Sequence, residues 1–248
     1  MKSRDQGLGA RGWGREAGFW VLGAGGWGVA ISLTMLAASL PGFAKQSGEL
    51  NPSPELRIEL HVYDYAGVEG SELARAQTEA ARVLQQIGIA VTWIKCVVPA
   101  KDATNAEACP SAGEQAPALV LNVLPRAMAE RATRDKSLLG FAQLAEDGAP
   151  ASVAFVFYHR VESLAMELRC ARGVILGYAL AHEVGHLLLG VNSHSPNGIM
   201  RARWTVKELR LASMGWFGFL PQQAAKIRAD VERRMKVQVA VARPEPAK

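Results

Sequence analysis

The run Ala181-His182-Glu183-Val184-Gly185-His186-Leu187-Leu188-Leu189-Gly190-Val191-Asn192-Ser193-His194-Ser195-Pro196-Asn197-Gly198-Ile199-Met200 decides how the rest of the chain is read. His182 and His186 are four residues apart, so a helix stacks them on one face, one turn apart, spaced to hold two corners of a tetrahedral zinc site. Glu183 stands beside them and can reach a water on that ion without being a ligand, which is the H-E-x-x-H arrangement of a zinc peptidase. From Gly173 to Leu189 the sequence is apolar nearly all round, as expected of a buried helix. His182, Glu183 and His186 are the only groups on it that ionise near neutral pH, and charge there is costly unless a metal or a cleft accepts it. Gly190 reads as a left-handed cap, after which His194 lies eight residues past His186 and Met200 six further.

These residues resemble the metzincin class of zinc endopeptidases, most closely its matrixin-like branch, whose signature is H-E-x-x-H-x-x-G-x-x-H followed by a Met-turn. The chain departs from that pattern twice: the glycine comes one residue late, at Gly190, and the third histidine two residues late, since the family spacing falls on Asn192. Met200 nevertheless lies eighteen residues after His182, the matrixin-like offset, so a longer first turn is compensated by a shorter second one. The resemblance implies His182, His186 and His194 as ligands of one catalytic zinc ion, Glu183 as general base, Met200 as the Met-turn, and a peptide or protein as substrate. Some metzincins carry a tyrosine two residues after that methionine; here the position is Ala202, which leaves oxyanion stabilisation to the metal. Arg201 and Arg203 either shape the cleft or belong to solvated surface.

A gluzincin, which takes its third ligand from a glutamate on a later helix, is the rival, and Glu208 is its only candidate. Thr205-Val206-Lys207-Glu208 reads instead as a capping box, with Trp204 and Leu209 placed as a hydrophobic staple. Two further classes stay open: a non-catalytic zinc-binding envelope protein, and a membrane-anchored interaction protein with a merely structural zinc. Retention of Glu183 argues against both, because a structural site has no use for that base.

The chain has 248 residues, enough for one sizeable core, and its 49% hydrophobic and 21% charged content excludes wholesale disorder and a polytopic membrane protein. A net charge of +5 is too mild to mark a nucleic-acid partner. Residues 1–44 read as a signal peptide: a basic start at Lys2, Arg4, Arg11 and Arg15, an apolar run from Val29 to Leu40, and a small-x-small cleavage site at Gly42-Phe43-Ala44. The expected product is exported, to the cell envelope, periplasm or medium. The alternative is a single-pass anchor, since Phe19 to Leu40 is long enough to span a bilayer if left uncleaved. Residues 45–55, with Pro52 and Pro54, read as a linker, 56–220 as the catalytic domain, and 221–248 as a C-terminal helix and tail. Oligomeric state is not legible.

The expected fold class is α/β (α+β): a metzincin-like mixed five-stranded sheet with an early helix and an active-site helix, then a small, mostly helical C-terminal subdomain. Leu56, Ile58, Leu60 and Val62 alternate with Arg57, Glu59, His61 and Tyr63, which predicts a strand with one wet face and puts His61 at the surface. Ser71 caps a predicted helix ending at Gly88, and Ile89 to Val98 is the next strand, parallel to the first through a right-handed crossover. Strands follow at Ala118–Leu124, Leu138–Ala142 and Ser152–Tyr158. The family resemblance makes the short fourth strand the antiparallel edge on which substrate lies. His159 and Arg160 follow the fifth strand in structural roles, with His159 also able to line the cleft. Cys96 and Cys109 are placed for a disulfide closing a short polar loop; Cys170 is left over, either buried and inert or a soft metal ligand, and its place just before the long helix favours packing. The last helix is predicted from Pro221 to about Met235.

Overall fold

Apolar residues on alternate positions of the first strand are the base on which the molecule is built. In the computed structural model, which describes residues 55–98, 109, 113, 116–143 and 151–242, β1 (Arg57–Asp64) buries Ile58, Leu60 and Val62 completely. The signal segment, nearly all of the linker, most of the loop around Cys109, the turn at Glu146-Asp147-Gly148 and the last six residues lie outside the described residues. Among the described residues, no helix is long and apolar enough to cross a membrane.

Helix α1 (Gly70–Gln85) follows β1, with Leu73, Ala76, Ala80, Val83 and Leu84 on its buried face. Glu69 rather than Ser71 occupies its N-cap; Ser71 lies inside the first turn and donates its hydroxyl proton to Glu69 Oε1. The chain returns through β2 (Ala90–Cys96), runs through β3 (Ala118–Leu124) and a short helix α2 (Arg126–Ala132), and forms β4 (Gly140–Gln143) and β5 (Val153–Phe157). The sheet order is β2-β1-β3-β5-β4. The β1–β2, β1–β3 and β3–β5 pairs are parallel, whereas β4 is antiparallel to β5 and lies at the edge. This is the mixed five-stranded sheet that the resemblance implies, with the short fourth strand as its antiparallel edge.

Two helices were not foreseen. Besides α2, the chain turns from β5 directly into α3 (Tyr158–Glu167), whose buried Val161 and Ala165 carry a helical spacing too short to stand out in sequence. The buried polar residue Arg160 lies on that helix, stacked over the Phe157 ring at 4.4 Å, and its Nη1 donates to the carbonyls of Asp135 and Leu138, both at 2.7 Å. Arg160 therefore holds the segment that leads into β4.

Helix α4 (Arg172–Leu189) is the buried helix that the sequence predicts, and it packs against α1 and against β4 and β5. A methyl group at Gly177 would fall 2.6 Å from the Ala76 carbonyl oxygen, so the two helix backbones meet with no side chain between them. Tyr178, 1% exposed, receives a hydrogen bond from Arg82 and donates to the carbonyl of Ala212 on α5 (Val206–Ser213). Tyr178, Trp204 and Phe217 pack ring to ring beneath the helix, joining the C-terminal subdomain to the core. Helix α6 (Pro221–Ala242) runs past Met235, because no breaker occurs before Pro244. Its buried Arg234 donates to the carbonyls of Ala151 and Leu187, tying it to the C-terminal end of α4.

The structure reverses the expectation for His61, which is 6% exposed. Its face of β1 is indeed the polar one, but Cys109 and Gly113 lie against that face: Cys96 and Cys109 are joined in a disulfide, and Gly113 N donates to Glu59. Alternation in a single strand reports which face is polar, and only the fold decides whether that face is wet.

Candidate metal centre

Helical geometry aligns His182 and His186, and the chain after Gly190 brings a third imidazole to them. Gly190 ends α4 with φ 77° and ψ −158°, its N–H bonded to the His186 carbonyl; φ is positive as expected, but ψ puts it outside the left-handed helical cap. Asn192, with φ 55°, continues the turn, so the stretch past the helix folds back over it. One nitrogen from each of His182, His186 and His194 lies within 4.8 Å of the others.

Hydrogen bonds to the far side of two of the rings fix what these nitrogens offer. His182 Nδ1 lies 2.8 Å from the Ile199 carbonyl oxygen, which only accepts, so Nδ1 carries the proton and Nε2 presents a lone pair. His186 Nδ1 lies 2.7 Å from Ser193 Oγ. The two Nε2 atoms face one another at 3.0 Å. Burial drives His182 down to about 4 from an ordinary 6.5 and His186 down to about 3, the latter also opposed by its two neighbouring imidazoles. Three converging imidazoles, two of them kept neutral by burial and at least one with its outer nitrogen engaged by a backbone carbonyl, fit a zinc ion as a donor set.

Glu183, beside them, is 3% exposed, and its Oε2 has no hydrogen-bond partner among the described residues. Burial raises its carboxyl to about 8. An orphaned buried carboxylate is costly in a purely structural setting and is the group expected to face a reacting water. Its surroundings leave it little freedom. A methyl group at Gly140, the first residue of β4, would fall 2.7 Å from Glu183 Oε1 and inside van der Waals contact with the Phe155 carbonyl oxygen.

Met200 is fully buried, and a methyl group on Gly185 would overlap its Sδ and stand 2.7 Å from Phe219 Cε1. The second variable position of the H-E-x-x-H motif is therefore a glycine because the methionine side chain occupies that space. The turn carrying Met200 is pinned by Ser195 N donating to the Met200 carbonyl, and by Ile199 N donating to the Gly218 carbonyl. Trp204, 9% exposed, donates from Nε1 to the same Ile199 carbonyl that receives His182.

Glu208 is not part of this cluster. Its carboxylate accepts from Thr205 N at 2.7 Å and from Thr205 Oγ1, and it pairs with Arg201 at 2.5 Å, while Lys207 N donates to Thr205 Oγ1. The predicted capping box is present on Oε2, and Arg201 occupies Oε1. Cys170 is a free, half-buried thiol whose pKa is raised by burial, in keeping with packing rather than ligation. His159 is partly buried, its Nδ1 without a partner among the described residues, and it does not line the cleft.

The cleft has a volume of about 930 Å³. Leu139 to Ala142, Asn192 to His194 and Arg201 to Trp204 line it together with His182, Glu183 and His186. Ser193, Gly140, Trp204 and Arg160 were not singled out by sequence reading as parts of the site or its support. A glycine in a predicted strand is the one local signal that pointed to Gly140.

No protein-family profile and no curated protein matches the chain. Among solved structures, archaemetzincin from Methanopyrus kandleri is similar at 14% identity and a TM-score of 0.40, the alignment covering 73% of this chain and 99% of that one. A likeness of that size says nothing about the chemistry of the site.

Proposed function

We propose that this chain is a zinc-dependent peptidase of the matrixin-like metzincin kind. The observation that carries the proposal is the buried carboxyl of Glu183, whose Oε2 has no partner among the described residues, one residue from His182 and lining the cleft that His182, His186 and His194 also line. In this reading those three imidazoles hold one zinc ion and Met200 is the Met-turn beneath it. Zinc in such a site supplies the positive charge that acidifies a water, polarises a carbonyl and opposes the effect of burial on Glu183.

The residues of the chain do the rest. His182 keeps its ligating nitrogen unprotonated because the Ile199 carbonyl holds the proton on Nδ1. Glu183 takes a proton on Oε2 from the attacking water and returns it to the leaving amine, a role suited to a carboxyl whose proton affinity burial has raised towards neutrality. The exposed edge of β4 offers backbone N–H and C=O groups to an extended peptide, so substrate binds by adding a strand. Export rests on the basic and apolar pattern of residues 1–44, and sequencing the N-terminus of exported protein should give a start near Lys45; an intact apolar run would favour the anchor.

The decisive experiment pairs metal analysis with digestion of a general peptide library. Wild-type protein should hold about one zinc per chain and cleave, while Glu183→Ala should retain the metal and lose hydrolysis by about 10²–10⁴-fold, the usual worth of a positioned general base. His194→Ala should lose zinc, whereas Asn192→Ala should retain it. Undiminished cleavage by Glu183→Ala would refute the peptidase reading.

A further inference from the structure

The polar face of β1 carries a second group of donors that the cleft does not use. One ligand atom from each of His61, Cys96 and Cys109 lies within 4.8 Å of the others. His61 Nδ1 is 3.0 Å from Cys109 Sγ, and its Nε2 faces Glu59 Oε2 at 3.3 Å. Gly113 N donates to both oxygens of Glu59, at 3.0 and 3.1 Å. Glu59, His61 and Cys96 are 9%, 6% and 3% exposed.

A disulfide on its own does not account for this neighbourhood. Cystine sulfur is a weak acceptor, and enclosing an imidazole and a carboxylate beside it removes two polar groups from water for little return. The same arrangement is what a soft metal ion requires: two sulfurs and one imidazole nitrogen converging, with the other ring nitrogen held by a carboxylate that fixes tautomer and orientation. A backbone N–H then anchors that carboxylate.

We propose that Cys96, Cys109 and His61 form a redox-gated metal site, closed as a disulfide when oxidised and binding one zinc ion when reduced. A dithiol reductant supplies two electrons and two protons; the Sγ–Sγ bond breaks, two thiols form, and the reductant becomes its own disulfide. Both thiols release their protons to solvent as Cys96 Sγ, Cys109 Sγ and His61 Nδ1 ligate the ion, and a water completes the tetrahedron. Glu59 accepts a hydrogen bond from His61 Nε2–H and so keeps the Nδ1 lone pair turned to the sulfurs. A disulfide oxidant reverses the step: it takes the two electrons and, with two protons from solvent, leaves as a dithiol while the Sγ–Sγ bond re-forms and the ion is released. In one state a covalent bond ties the segment of Cys109 and Gly113 to the sheet, and in the other a metal does.

Cobalt(II) tests this in the full chain carrying Cys170→Ser, which removes the remaining thiol. The protein is reduced with a water-soluble phosphine, which brings no sulfur ligand of its own. A thiolate-to-cobalt charge-transfer band should appear, reach the intensity of one thiolate-bound cobalt per chain beyond any ion the cleft takes up, and be absent before reduction. It should persist in His182→Ala, because the imidazole centre in the cleft has no thiolate, so failure here is distinguishable from failure of the peptidase reading. His61→Ala and Glu59→Gln should each weaken cobalt binding by about tenfold to a hundredfold, the usual cost of disturbing such a shell. Absence of the band in the reduced parent chain, which depends on the folding of no further variant, overturns the proposal. So does an unchanged affinity in both His61→Ala and Glu59→Gln.

Discussion

Gly140→Ala tests whether the edge strand and the buried carboxylate are as closely fitted as the geometry requires. The added methyl carbon would stand 2.7 Å from Glu183 Oε1 and 3.0 Å from its Cδ, and would overlap the Phe155 carbonyl oxygen. Neither neighbour yields easily, since the carbonyl belongs to the backbone of β5 and Glu183 is enclosed. Either β4 separates from β5 or the carboxylate swings away. Overpacking of this kind costs about 1–3 kcal/mol. Restricting the unfolded chain by replacing glycine returns about 0.4–1 kcal/mol, so a net loss of roughly 1–2 kcal/mol is expected. That loss leaves the protein folded, but displacement of a catalytic group by about 1 Å can slow a reaction by about a hundredfold, and peptide cleavage should fall by that order. Urea denaturation and peptide-library cleavage are to be measured beside Gly70→Ala, where an added methyl meets nothing within 4 Å. Stability and turnover in Gly140→Ala equal to those of Gly70→Ala would show that β4 does not press on Glu183.

Metal-free protein should be most stable near pH 6.5. As pH falls from 6.5 towards 4, the unfolded chain protonates His182 and His186 while the folded chain does not, so stability is lost on the acid side. As pH rises towards 8, folded Glu183 holds a proton that the unfolded chain has already released, so stability is also lost on the alkaline side. Denaturant titrations in chelator should show the alkaline loss disappear in Glu183→Gln while the acid loss remains; a flat profile in the parent protein would contradict the burial of all three groups. Glu208→Ala should cost about 0.5–2 kcal/mol of cap stability with zinc retained. Zinc lost from that variant but kept in His194→Ala would replace the metzincin-like reading with the gluzincin one.

The H-E-x-x-H spacing and the apolar helix that bears it were legible because both depend on local geometry: a period of 3.6 residues aligns His182 with His186, and an all-round apolar surface leaves the helix no place but the core. The capping box at Thr205 and Glu208 was legible for the same reason, as were strands whose residues alternate or run continuously apolar. The positions of β4 and of the third imidazole were anticipated only through resemblance. Local chemistry alone could not fix them, because the turn after Gly190 is pinned from Ser195 N to the Met200 carbonyl and from Ile199 N to the Gly218 carbonyl, the latter nineteen residues further along the chain. Only tertiary structure showed that His61 is buried, since a neighbouring segment decides whether a polar strand face meets water. Only tertiary structure gave Gly140 its meaning, because the atoms that forbid a side chain there come from Phe155 and Glu183, fifteen and forty-three residues away in the chain. Sequence specifies which groups are available and how neighbours along an element face; which groups finally touch depends on packing between elements, and at this site that packing sets the surroundings of the Glu183 carboxyl.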